Sequence, residues 1–121
     1  MKPFKRQETF NTVAQHLLTQ RVKSQTGLLC RYRSQVDNHT VACAIGCLIK
    51  DEFYDPDLEQ QEMYNIDVIE AVQKSLDTVL VPDDVSFLAV LQTIHDLKEP
   101  NTWFLELSGF AAAHRLEFNV V

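Results

Sequence analysis

Three cysteines and a run of acids are the residues here whose types and spacing could do chemistry. Cys43 and Cys47 bracket Ala-Ile-Gly in A-C-A-I-G-C-L-I at 42–49, with Cys30 upstream and His39 between. Four such ligands can hold zinc tetrahedrally. Paired zinc cysteines are usually two residues apart, in a turn that aims both sulfurs inward. Here the spacing is wider, so the reading is packing: free cysteine behaves as a small apolar side chain. On that reading Gly46 ends a buried strand. It allows either a backbone angle that a side chain opposes or a close approach to a helix. Leu48 and Ile49 then anchor the exit. No cofactor is expected; a zinc-stabilised binding module on Cys30, His39, Cys43 and Cys47 is the alternative.

A thiol nucleophile would need a lowered pKa and a nearby base. Each of the four histidines (16, 39, 95 and 114) has a plainer role beside an apolar stripe or at an element end. No catalytic residue is assigned. A small enzyme remains a further alternative, and it would need a pocket that gathers Arg31, Arg33 and some of the histidines or acids.

The acids are concentrated. Asp51, Glu52, Asp55, Asp57, Glu59, Glu62, Asp67 and Glu70 fall in one stretch, and no Lys or Arg lies between Lys50 and Lys74. A calcium loop is excluded, because Pro56 interrupts Asp55-x-Asp57 and Gln60 stands where the loop needs glycine. Phe53, Tyr54 and Tyr64 flank the acids. Mixed acidic and aromatic surfaces suit protein recognition and repel phosphates. The expected partner-binding set is Asp51, Glu52, Tyr54, Asp55, Asp57, Glu59, Glu62 and Tyr64, with the carboxylates facing water. Phe53 is expected to staple the loop to the core.

Charge is uneven along the chain. Residues 1–33 hold seven Lys/Arg against one acid, and residues 34–121 hold four against sixteen. This polarity permits a basic partner for the acidic part, and it also permits the two parts to pair within one chain or between chains, so self-association is open. In Arg31-Tyr-Arg33 a strand would put both arginines on one face. They could clamp an anion, but pairing with Asp51, Glu52 or Glu59 is favoured. No coherent basic face for nucleic acid is expected.

These residues need elements to position them. The 121 residues suit one domain over 1–121. Phe10, Val13, Ala14, Leu17 and Leu18 fall on one face of a helix over about 7–22. Residues 28–33 and 40–45 read as a β-hairpin turning at Val36-Asp-Asn-His39. Asn65 caps a second helix to Leu76, with Ile66, Ile69, Val72 and Leu76 inward. A third helix runs from about Asp84, capped by Asp83, to Leu97. A fourth covers about 102–114, capped by Asn101, with Trp103, Leu107, Phe110 and Ala111 inward. The class is α+β, mainly α: an N-terminal helix, a short β-hairpin, then three helices around one core. No run spans a membrane, and no secretory leader is expected.

Several segments belong together: Q-E-T-F-N-T-V-A-Q-H-L-L-T-Q at 7–20, C-R-Y-R at 30–33, C-A-I-G-C-L-I-K-D-E-F-Y at 43–54, L-Q-T-I-H-D at 91–96, and Trp103 with F-A-A-A-H at 110–114. Together they resemble a group of small proteins encoded by phages and bacterial prophages. The resemblance spans nearly the whole chain, and 43–54 is its most distinctive part. That group carries no assigned activity. The resemblance therefore implies a context, a cytoplasmic accessory protein that binds a host protein, and no catalytic residues.

Overall fold

Helix α1 (Arg6–Gln20) buries Phe10, Val13, Ala14 and Leu17, the face that its apolar spacing predicts. The computed structural model describes residues 1–119 of the chain. After α1 come β1 (Gln25–Thr26), β2 (Leu29–Cys30), β3 (Arg33–Val36) and β4 (His39–Ala42). Then follow α2 (Ile66–Leu76), α3 (Pro82–Leu97) and α4 (Trp103–Ala113). An N-terminal helix, a short antiparallel hairpin and three further helices match the expected class.

The hairpin is shorter and tighter than expected, its first strand starting later and its second ending earlier. β3 pairs with β4 from Arg33↔Ala42 to Val36↔His39. Asp37 and Asn38 form the loop, at φ 49° and 66°. A two-residue loop with both residues left-handed matches strand twist, and Asp and Asn tolerate that conformation. The loop sets the register. The ladder then ends at Ala42, where the side-chain amide of Gln20 takes over: Gln20 Oε1 accepts the Ala42 N–H at 3.0 Å and Gln20 Nε2 donates to the Ala42 carbonyl at 2.9 Å. Residues 28–30 belong instead to a separate miniature hairpin, β1–β2, which turns at Gly27 with φ 60°.

Gly46 therefore does not end a strand. It opens a 3₁₀ turn, Gly46–Leu48. Its need for glycine is steric: a Cβ there would lie 2.0 Å from the Tyr32 carbonyl oxygen. The close approach is to the backbone before β3, not to a helix.

Helix α2 is capped by Asn65, whose side chain accepts the Asp67 N–H at 2.8 Å. It buries Val68, Ala71, Val72 and Ser75. Ile66 is 75% exposed, against expectation, because the buried row lies one position earlier than the expected one, and Ile69 and Leu76 are only partly buried. Helix α3 starts earlier than expected. Pro82 occupies its first turn, and Asp84, not Asp83, accepts the Val81 N–H at 3.1 Å. Proline suits that position since its missing N–H has no partner there anyway. Helix α4 follows a 3₁₀ turn, Pro100–Thr102, so Asn101 is no cap.

One apolar cluster joins all four helices to the 43–49 segment. Trp103, Leu107, Phe110 and Ala111 face inward as predicted. Phe110 stacks on Phe10 at 5.7 Å and meets Phe87 edge-on at 5.1 Å. Such pairs add roughly 0.5–1.5 kcal/mol each beyond their buried area.

Candidate functional site

The acid-rich stretch before α2 is irregular, with short 3₁₀ turns at Asp51–Phe53 and Pro56–Leu58, yet it is tied down at one residue. Leu58 and Glu59 are buried at the end of a 3₁₀ turn, Pro56–Leu58. The Glu59 side chain is only 6% exposed. Its Oε1 accepts the Tyr32 N–H at 2.8 Å. Its Oε2 accepts the Arg33 N–H at 3.2 Å and the Tyr54 hydroxyl at 2.6 Å. The Arg31 guanidinium lies 3.9 Å away. A buried carboxylate is tolerated when its lone pairs are filled in this way. The expectation that Glu59 faces water and contacts a partner is corrected here: it is an internal anchor.

Arg31 and Arg33 do not share a strand face, since residues 31 and 32 lie between β2 and β3. Arg33 Nη1 pairs with Asp51 Oδ1 at 2.7 Å, and its Nη2 donates to the Ile49 carbonyl at 2.7 Å. The same guanidinium lies 4.3 Å from the centre of the Tyr54 ring. Both arginines are thus committed inside the chain. Tyr54 is half-buried, held from above by Arg33 and through its hydroxyl by Glu59.

The other acids stay at the surface. Asp51, Glu52, Asp55, Asp57 and Glu62 are exposed, and Tyr64 is 60% exposed. Asp55 also accepts the Asp57 N–H at 2.8 Å, which shapes the turn. Between this stretch and α2 runs an open groove of about 480 Å³. Glu52, Asp55, Asp57, Asp67 and Glu70 line it, and its one cation, Lys74, pairs with Glu70 at 2.8 Å. Phe53 packs partly against the core from the groove floor. Tyr64 lines a second cleft of about 410 Å³ against α3, which also touches Cys30, Glu62 and Asp96.

The proposed zinc quartet is not gathered. Among the described residues, the group of acids, thiols and imidazoles close enough to share an ion is Cys30, His95 and Asp96. His39 is exposed on β4 and Cys43 is fully buried, and neither joins it. The trio is itself arranged against metal. His95 Nε2 accepts the Ser24 N–H at 2.9 Å, so the ring proton sits on Nδ1 and points to Asp96 Oδ1 at 2.7 Å. A metal on Nδ1 would force that proton to Nε2, where it would confront the Ser24 N–H. The same proton placement leaves His95 with no free nitrogen to serve as base for Cys30.

The thiols are also protonated and quiet. Burial and the Asp96 charge push Cys30 up to about 11. Burial pushes Cys47 up to about 12, and its S–H donates to the Ala44 carbonyl at 3.1 Å. Cys43 is pushed up further still by complete burial, while its sulfur accepts the Gly46 N–H at 3.2 Å. Thiolate is the reactive form, so none of the three is a prepared nucleophile. Burial likewise holds the His16 imidazole below its usual range, while its Nε2 contacts the Ala42 carbonyl at 2.8 Å.

Sequence reasoning missed two polar links, one buried and one partly buried. One is His95, stacked on Trp103 at 5.6 Å. The other is Gln92, whose Oε1 accepts the Ile45 N–H at 3.0 Å and whose Nε2 donates to Asp96 at 2.8 Å. Their signal was a histidine and a glutamine beside the apolar stripe of α3. Among the described residues, no buried side-chain nitrogen or oxygen lacks a partner. No family model matches the chain, and no curated protein or solved structure is significantly similar to it.

Proposed function

We propose that this chain is a non-enzymatic interaction module that presents an acidic, aromatic surface to a basic protein partner. The observation that carries the reading is the division of labour among the acids. Glu59 is taken up inside by three hydrogen-bond donors and the Arg31 guanidinium, while Asp51, Glu52, Asp55, Asp57 and Glu62 remain outside on a stretch it holds in place. A surface fixed before binding loses less entropy when a partner arrives. Its field would speed encounter and select partners, and salt would weaken it. The carboxylates would repel nucleic-acid phosphates. The resemblance of segments such as 43–54 to small phage and prophage proteins supports an accessory role inside a host cell; among the described residues, no helix is long and apolar enough to cross a membrane.

The test is affinity capture from host lysate with the wild type and with a Glu52→Lys/Asp57→Lys/Glu62→Lys variant. The reading expects a basic protein that is retained at low salt, released at high salt and lost with the variant. An identical set of captured proteins for both baits would remove it.

A further inference from the structure

Helix α4 is apolar almost all the way round. Its sequence, WFLELSGFAAA, carries one charge, Glu106, which lies 3.9 Å from Lys98. Such a helix is normally covered on every side. Here the inner face is covered by the core, while among the described residues the outer face is left largely open: Leu105 is 73% exposed, and Phe104, which meets the Phe118 ring at 5.1 Å between centres, is 55% exposed. Gly109, Ala112 and Ala113 are exposed as well, and nothing stands within 4 Å of where a Gly109 Cβ would be.

At 3.6 residues per turn, Leu105 and Ala112 lie on one outward line, two turns apart, with Ser108 and Gly109 on either side of it. The bulk is at the N-terminal end and the space is at the C-terminal end. That order is self-complementary. If a second copy lies antiparallel, with a two-fold axis crossing between Ser108 and Gly109, Leu105 of each copy sits over Ala112 of the other. Gly109 then faces Gly109, Ser108 faces Ser108, and the backbones can approach closely. An isologous contact requires this reciprocity.

Charge agrees with the same arrangement. Glu99 and Glu106 mark the N-terminal end of the helix, loosely paired with Lys23 at 3.8 Å and Lys98 at 3.9 Å, and Arg115 follows its C-terminal end with no ion pair among the described residues. Antiparallel pairing brings Arg115 of one copy toward the acids of the other and also opposes the two helix dipoles. Beside Phe104 the open face continues into a groove of about 470 Å³ lined by Leu18, Arg21, Pro100 and Asn101. We infer that the outer face of α4 is the contact surface of a symmetric antiparallel dimer of this chain. The face is separate from the acidic stretch, so the two can succeed or fail independently. One short helix and a groove fall short of the roughly 800 Å² per partner of a standard interface, so a weak, concentration-dependent dimer is expected.

Sedimentation from roughly 1 to 200 µM tests this, since mass action governs the dimer. The wild type is expected to shift from monomer to dimer across that range. Leu105→Asp, at an exposed position, is expected to keep the wild-type melting temperature and stay monomeric throughout. Under mild oxidation Ser108→Cys is expected to form a disulfide dimer well ahead of Asp57→Cys, which lies far from the axis. A wild type that is monomeric throughout, or a dimer that survives Leu105→Asp, overturns the inference. So does a Ser108→Cys variant that cross-links no faster than Asp57→Cys.

Discussion

Glu59 Oε1 accepts the backbone N–H of Tyr32 at 2.8 Å across 27 positions of chain. Its other oxygen holds Arg33 and Tyr54, so one carboxylate ties the entry of β3 to the acid-rich stretch. Removing it strands two backbone donors and a guanidinium. Glu59→Ala is expected to cost about 3 kcal/mol, the scale for breaking a buried charged group from its partners. Tyr54→Phe removes one donor and should cost about 1 kcal/mol. Asp57→Asn and Glu62→Gln, at exposed sites, should stay within about 0.5 kcal/mol of the wild type. Urea unfolding of the set checks the order; an exposed acid that matched Glu59 would contradict it.

Gly46 is the second point where the chain has little freedom. The Tyr32 carbonyl fills the position of a Cβ, and that carbonyl also accepts the Cys43 N–H at 3.2 Å. Gly46→Ala must push one backbone from the other. A loss on the order of 3 kcal/mol is expected, against almost none for Gly109→Ala, which has open space and gains helix propensity. Thermal melts of both variants give the comparison, and similar melting temperatures would refute the steric account.

The thiols make stability fall in alkali. Unfolded cysteines lose their protons near 9.0, while folded Cys30 and Cys47 hold theirs to about 11 and 12. Cys43 and Tyr32 are shifted upward too, Tyr32 chiefly by burial. Above pH 9 the unfolded state therefore binds fewer protons than the folded one, and stability drops as pH rises. The urea midpoint should be flat from pH 7 to 8.5 and lower at pH 10. Cys43→Ala should reduce that drop while costing about 1 kcal/mol at neutral pH. A midpoint independent of pH up to 10 would show that the sulfurs are solvated.

The helices were legible where burial follows the 3.6 period, as in the inward rows of α1 and α4. The Asp37-Asn38 turn was legible because its residue types favour left-handed backbone. Ile66 was misread because periodicity gives a stripe but not which edge of it meets the core. Register in the hairpin escaped for a related reason: it is set by a two-residue loop and by Gln20, a side chain on another element. The burial of Glu59 escaped, although its pairing with an arginine did not. Its neighbours in sequence are acids that do face water, and its partners are backbone N–H groups that no side-chain pattern records. The arginines were read as partners of nearby acids from charge balance alone, and the pairs Arg33–Asp51 and Arg31–Glu59 are present.

Residue-resolved amide exchange of Tyr32 and Arg33 tests most directly whether a single internal carboxylate organises the acidic surface. Both N–H groups precede or begin a strand, and Glu59 is the acceptor for each. The account predicts strong protection in the wild type. In Glu59→Gln it predicts faster exchange at both, spreading through 51–64, with the amides of α3 still slow. Free exchange at Tyr32 and Arg33 in the wild type, or unchanged protection in the variant, would contradict it.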